Sequence, residues 1–209
     1  MNREPLSRQR IIDAAIRLVD AEGLEAFTMR RLADELDVEG ASLYKHIPNK
    51  AAVLVGMLRT IFTEVEPVYP PHPSWRDRLL AGMRGFREDC LRHPRIFTLA
   101  MRPWESINSQ RMEEDLAAMR ATGFSEEQAA YAFRVLASYV TGFVARESAY
   151  MTRDPQEVRE EEEEAQQTAA HFPHSRASTR ILSARRLDAA FVFGLNAMLD
   201  GIELQVLRE

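Results

Sequence analysis

Residues 27–50 read FTMRRLADELDVEGASLYKHIPNK, and their spacing decides the fold. Met29, Leu32, Ala33 and Leu36 recur at three- and four-residue intervals, the period of one inward-facing helix surface. Thr28 stands at the N-cap position of that helix. Asp37-Val38-Glu39 forms a three-residue turn, and a third short helix is predicted around Gly40 to His46. Pro48-Asn49 breaks it, and Asn49 caps a long fourth helix from Lys50 to about Val65. Two short helices joined in this way describe a helix-turn-helix. Leu32, Ala33, Leu36, Val38 and Leu43 supply the apolar set that locks the pair at a steep angle. The turn needs a residue that tolerates positive φ, which Asp37 can adopt at greater cost than glycine. The locked pair presents its second helix to a major groove about 12 Å wide.

Working outward, Ile11, Ile12, Ala15, Leu18 and Val19 predict a preceding helix, capped by Ser7 and ended at Gly23, with Leu24 and Phe27 filling the corner. Downstream, the proline-dense stretch 66–73 marks a domain boundary. The expected organisation is a DNA-binding domain over 1–50, a connecting helix over 50–66 and a second helical domain over 67–209. In that second part Ser74 caps a helix reaching Arg92, His93-Pro94 interrupts, and a short helix runs to Met101. Further helices are predicted over 106–122, 125–151 and 187–207. The middle one is apolar nearly all round and is expected to be central. Strand signals are nearly absent, so the fold class is all-α.

Composition is that of a globular chain, with 45% apolar and 28% charged residues among 209. The net charge of −5 argues globally against a nucleic-acid coat. That acidity is local. Residues 153–170 hold seven acidic and two basic side chains, and the rest of the chain balances 25 against 25. The run Glu160 to Glu164 reads as a solvated loop or frayed helix within a polar excursion over 153–178. The single Cys90 forms no internal disulfide, which fits a reducing compartment. The N-terminus leads into an amphipathic pattern rather than an apolar signal core, and no uninterrupted run of about 18 apolar residues appears. A cytoplasmic location is expected.

The residues Ile11-Ile12-Asp13-Ala14-Ala15, Gly23-Leu24, Phe27 to Ala33, Leu36-Asp37-Val38, Ser42 to Ile47 and Asn49-Lys50 give the first 65 residues a close resemblance to the TetR family of bacterial transcription regulators. A weaker resemblance to the tetracycline-repressor subgroup continues through Ser74-Trp75, Phe86, Arg102-Pro103, Thr122 to Ser125, Phe193-Gly194-Leu195 and Gly201-Ile202-Glu203. The resemblance implies a DNA-contact set of Thr28, Arg30, Gly40, Ala41, Ser42, Tyr44, Lys45, His46 and Lys50. Arg30 would reach bases or phosphates, Ser42 and Tyr44 bases or backbone, and Lys45, His46 and Lys50 phosphates. Lys45 and Lys50 are the only lysines in the chain. Two departures stand out. Gly40 occupies the place of an amide side chain that reads a base, and Asp37 replaces the usual turn glycine, so the operator differs from that of the tetracycline repressors. The first 50 residues carry eight basic and nine acidic groups, so Asp13, Asp20, Glu22, Asp34 and Glu35 must face away from phosphate.

The family resemblance also implies a homodimer on a palindromic operator, with two reading helices about 34–36 Å apart. The surplus apolar circumference of the last and central helices agrees, and Phe191, Leu195, Met198, Leu199 and Ile202 are the expected interface. Phe86, Cys90, Phe97, Met101, Met119, Tyr139 and Phe143 are candidates to line a pocket, with Glu147 and Arg102 as polar anchors. Such a lining suits a small, largely apolar inducer. Tetracycline itself fits poorly, because Thr98, Met101, Glu66 and Gly82 stand at that subgroup's drug-site positions and only Phe86 matches. His171 and His174 flank Pro173 without a third ligand at defined spacing, so no metal site and no cofactor are expected. No nucleophile–base pair or phosphate-cradling loop is present, and an enzyme is not expected. The reading is a ligand-responsive repressor, with no membrane partner. The alternative is a DNA-bound dimer whose second domain serves only dimerisation or a protein partner.

Overall fold

The computed structural model describes residues 5–100, 110–169, 172, 174 and 188–206. Helix α1 (Arg8–Glu22), α2 (Met29–Leu36), α3 (Gly40–Leu43) and α4 (Lys50–Ile61) build the N-terminal head. The second part contains α5 (Trp75–Arg92), α6 (Phe97–Ala100), α7 (Gln110–Ala121), α8 (Glu126–Thr152), α9 (Pro155–Ala169) and α10 (Asp188–Val206). Among the described residues there is no strand.

Local side-chain chemistry starts most of these helices. Ser7, Thr28, Asn49, Ser74 and Ser125 each accept a backbone N–H from the first turn of the helix they precede. Ser74 and Ser125 do so within reciprocal capping boxes closed by Asp77 and Gln128. Asp37 adopts φ 53°, ψ 53° at the end of α2. Its N–H and that of Val38 return to the carbonyl of Ala33, closing the helix in a left-handed cap.

Helix α1 packs on α2 and α4, burying Ile11, Ile12, Ala15, Val19, Phe27, Leu32, Leu43, Val53 and Met57. The α1–α4 approach is close enough that a Cβ at Gly56 would lie 2.6 Å from Cδ1 of Ile12. In the second part, α8 is central and packs against α5, α6, α7 and α10. Its Leu136, Val140 and Val144 meet Leu79, Met119, Phe191, Leu195 and Leu199 in a core continuous with that of the head.

Three expectations about elements change. Helix α3 ends at Leu43, with Tyr44 to His46 in a turn. Helix α4 ends at Ile61 rather than near Val65. The reason is tertiary: the N–H of Val65 donates to Oδ1 of Asp89 on α5 (2.7 Å), and its carbonyl accepts from Arg111 on α7 (2.9 Å). Backbone groups that would extend the helix are held elsewhere. The acidic excursion is helical over α9. Asp154 accepts the N–H of Gln156, Pro155 occupies the first turn, and Arg153 pairs with Glu161. Val158 is its buried anchor, and Glu160, Glu161, Glu163 and Glu164 face solvent.

Candidate nucleic-acid and ligand interfaces

Two arginines open α2, and the fold separates their roles. Arg31 donates to both oxygens of Glu22 (2.5 and 3.3 Å) and reaches Glu35 (3.4 Å); the hydrogen bonds to Glu22 lead in raising its pKa. Arg30 points outward with no side-chain partner among the described residues. Its donors remain available to a nucleic acid. Tyr44, Lys45 and His46 are exposed on the turn after α3, Ala41 and Gly40 are exposed on α3, and Ser42 is half-buried. Nothing lies within 4 Å of where a Cβ on Gly40 would stand, so the surface there is open.

Two members of the expected DNA-contact set have internal work. Thr28 spends its hydroxyl oxygen on the Arg31 N–H (3.0 Å) as the α2 cap. Lys50 donates to the carbonyl of Phe27 (2.6 Å) and lies over its ring at 5.1 Å from the centroid, bracing the entry to α2. Four acids of the head are also occupied. Asp13 accepts from Gln9, Asp20 meets His93, and Glu22 and Glu35 hold Arg31. Asp34 is exposed.

The pocket candidates divide. Cys90, Phe97 and Met119 are buried in the core, and burial pushes the Cys90 thiol well above its ordinary pKa. Phe86 packs edge-on against Phe62 just past α4, with centroids 4.8 Å apart. Tyr139, Phe143 and Phe191 form a ring cluster between α8 and α10. The Tyr139 hydroxyl donates toward the carbonyl of Phe191 (3.0 Å), sitting where a Cβ on Gly194 would be 2.3 Å away. Glu147 is not an open anchor. It receives two hydrogen bonds from buried Arg87 (2.7 and 2.6 Å), and Arg87 also pairs with Asp188 (2.7 Å). Burial lowers the Arg87 pKa, and these carboxylates more than reverse it. Met101, Arg102 and His171 lie outside the described residues. Among the described residues no three His, Cys, Asp or Glu side chains come together in a metal-binding group.

A polar seam between α5 and α7 escapes sequence reasoning. Asp89 and Asp115 are buried, each with one carboxylate oxygen lacking a hydrogen bond. Burial pushes both carboxyls up to about 6, opposed by the Val65 N–H at Asp89 and by Arg78 and Arg111 at Asp115. Arg111 lies across the notch left by Gly82 and Gly85, where added Cβ atoms would stand 3.8 and 3.7 Å from its side chain. The signal was present as Gly82 and Gly85, three residues apart, which on a helix mark close approach of a neighbour.

The expected interface residues Phe191, Leu195 and Leu199 are wholly taken up by the chain's own core, because they form the inward stripe of α10 against α8. Met198 and Ile202 are half-buried. The large apolar side chains that α10 leaves exposed are instead Phe193 (78% exposed) and Leu204 (55%), and α8 exposes Val135 (48%). Helix α10 is long and apolar enough to cross a membrane by composition, with a mean hydropathy of 1.2. Its polar edge is tied to α5, where Arg76 pairs with Asp200 (2.6 Å) and donates to Asn196.

Residues 11–57 match the family model described as bacterial regulatory proteins, tetR family, and residues 66–206 match the tetracyclin repressor-like C-terminal domain. An HTH-type transcriptional regulator of Saccharopolyspora erythraea is 36% identical over 151 residues, covering 71% of this chain and 64% of that relative's length. The tetracycline repressor protein class G of Vibrio anguillarum is 30% identical over 205 residues, 95% of this chain and 94% of that protein. Among solved structures, the Streptomyces coelicolor TetR family protein ActR in complex with actinorhodin superposes with a TM-score of 0.80. It is 27% identical, with 98% of each chain covered.

Proposed function

From a chain that belongs to the TetR family, we propose a specific division of labour among its residues. Members are ligand-responsive transcriptional repressors that bind operator DNA as homodimers, and this chain is one of them. In our reading Arg30, Ser42, Tyr44, Lys45 and His46 contact the operator. Thr28 and Lys50 shape the reading surface by capping and bracing α2. Gly40 and Ala41 let the backbone approach the groove.

The observation that carries this assignment is the separation of Arg30 from Arg31. One guanidinium is spent on Glu22 and Glu35, and the other is exposed on the same head that exposes Tyr44 and Lys45. For the second part we propose that Phe86, Tyr139 and Phe143 contribute aromatic faces to an inducer site, with Asp89, Asp115 and Arg111 as its polar members. A largely apolar ring system carrying a few hydrogen-bond donors suits that combination. ActR, whose structure holds actinorhodin, supports a small-molecule ligand. The dimer is proposed to form across Phe193, Leu204 and Val135, with Met198 and Ile202 at the margin.

The direct test is fluorescence anisotropy of the full-length dimer on the DNA upstream of its own gene, with competitor present and salt varied. Arg30→Ala should weaken binding by about 1–3 kcal/mol if Arg30 reads a base. Equal affinity of the variant and the parent protein at every salt concentration refutes the assignment.

A further inference from the structure

His93 occupies the turn between α5 and α6, and both of its ring nitrogens meet carboxylates beyond that turn. Nδ1 lies 2.6 Å from Oδ2 of Asp20 in the last turn of α1. Nε2 lies 3.0 Å from Oε2 of Glu64, just past α4. A neutral imidazole carries a single N–H and so can donate to only one of them. The other nitrogen would then turn a lone pair toward a carboxylate oxygen at hydrogen-bond distance. Only the imidazolium, donating from both nitrogens, satisfies the arrangement. We propose that His93 is a proton-operated latch, a positioning residue that ties the reading head to the core while it holds its second proton.

The charged groups around the ring are few and their roles differ. From α1 comes Asp20, and from the chain leaving α4 comes Glu64. On its own turn stand Arg92 and Arg95, and Asp89 lies one turn back on α5, where Glu64 and Arg92 both act on its carboxyl. Arg95 donates to the carbonyls of Asp20 (2.9 Å) and Ala21 (2.5 Å), a second grip on the end of α1. The Asp20 arm is also the shorter of the two. Deprotonation therefore releases the Glu64 arm and leaves the end of α1 in place. The segment set loose is the one that joins α4 to the core. Burial disfavours the charge on His93, but the hydrogen bonds to Asp20 and Glu64 outweigh it and raise the pKa above the ordinary 6.5. The latch opens as pH rises through that raised value.

The inference goes beyond operator and inducer binding and is tested without either. The five histidine Cε1 protons of the full-length dimer are followed by NMR from pH 5.5 to 9, with His93→Gln identifying the signal. Hydrogen exchange of residues 57–65, corrected for the intrinsic pH dependence of exchange, is measured over the same range. The His93 midpoint should lie above 6.5, and protection of 57–65 should fall about threefold or more as pH crosses it. In His93→Gln that pH dependence should vanish. A midpoint at or below 6.5, or protection that follows pH equally in both proteins, overturns the proposal. Should His93→Gln not fold, Glu64→Gln carries the test. It keeps the Asp20 arm, should lower the His93 midpoint and should leave protection of 57–65 flat with pH; an unchanged midpoint overturns the latch.

Discussion

Oδ1 of Asp89 accepts the Val65 N–H, while Oδ2, fully buried, accepts nothing. A charged carboxylate in that state loses hydration it does not recover, which is why burial raises its pKa from 3.8 to about 6. The folded protein then binds more protons than the unfolded chain between those two values. Stability therefore declines as pH rises from about 4 through about 6 and stays lower above it. Asp89→Asn keeps an oxygen for Val65 and removes the charge. It should stabilise the protein by about 1–2 kcal/mol at pH 8, a Tm gain of roughly 2–8 °C, and by about half as much at pH 5, midway through the window in which the loss builds. Thermal denaturation at the two pH values checks this, and a gain of equal size at both contradicts it. At this scale much was readable. Asp37 was expected to take positive φ, and Arg30 to differ from an ordinary surface arginine through the family resemblance. The neutralisation of Arg31 was hidden, because its partner Glu22 lies on another helix and no local rule joins them.

Helices α5 and α8 are joined by one buried ion pair, Arg87 with Glu147, whose guanidinium also lies over Phe191 at 4.7 Å. Removing one member of such a pair leaves the other charged and desolvated. Glu147→Gln should therefore destabilise the fold by about 2–4 kcal/mol, moderated because Asp188 still faces Arg87. Urea unfolding measures the loss, and a change below about 0.5 kcal/mol would show that Asp188 alone suffices. Helix starts were the most legible feature of the sequence, since capping depends on residues within four positions of one another. Helix α4 was misjudged at its end, because Asp89 and Arg111 capture the Val65 backbone from distant positions. Helix α10 was legible as apolar but not as oriented. With apolar residues around most of its circumference, periodicity could not distinguish the stripe against α8 from the stripe left open.

At the scale of the whole molecule, that open stripe bears on the homodimer. Phe193 is the largest apolar side chain it exposes, and burying a phenylalanine contributes about 1.5–3 kcal/mol. A two-fold axis uses the residue twice. Phe193→Glu places two carboxylates where two rings would pack and should yield monomers at micromolar concentration by light scattering, with operator affinity lost in parallel. Retained dimers would move the interface elsewhere. The same scale settles the meaning of the acidity. Helix α9 displays Glu157, Glu160, Glu161, Glu163 and Glu164 to solvent, and the head carries near-balanced charge with Asp13, Asp20, Glu22 and Glu35 engaged by internal partners. On the proposed assignment, DNA affinity rests on a few placed cations and is expected to be steeply sensitive to their removal.

A head joined to its core by the connector alone would be a detachable reading module. Here the proline-rich stretch 66–73 is only the covalent link. Arg95 holds two carbonyls at the end of α1, His93 holds Asp20 and Glu64, and Val65 is gripped through both its backbone groups. A chimera that exchanges the head at the connector would keep the link and break the joint. To respond to the core as the native head does, a grafted head would need a carboxylate at the place of Asp20, another at the place of Glu64, and an α1 that ends where Arg95 can reach it.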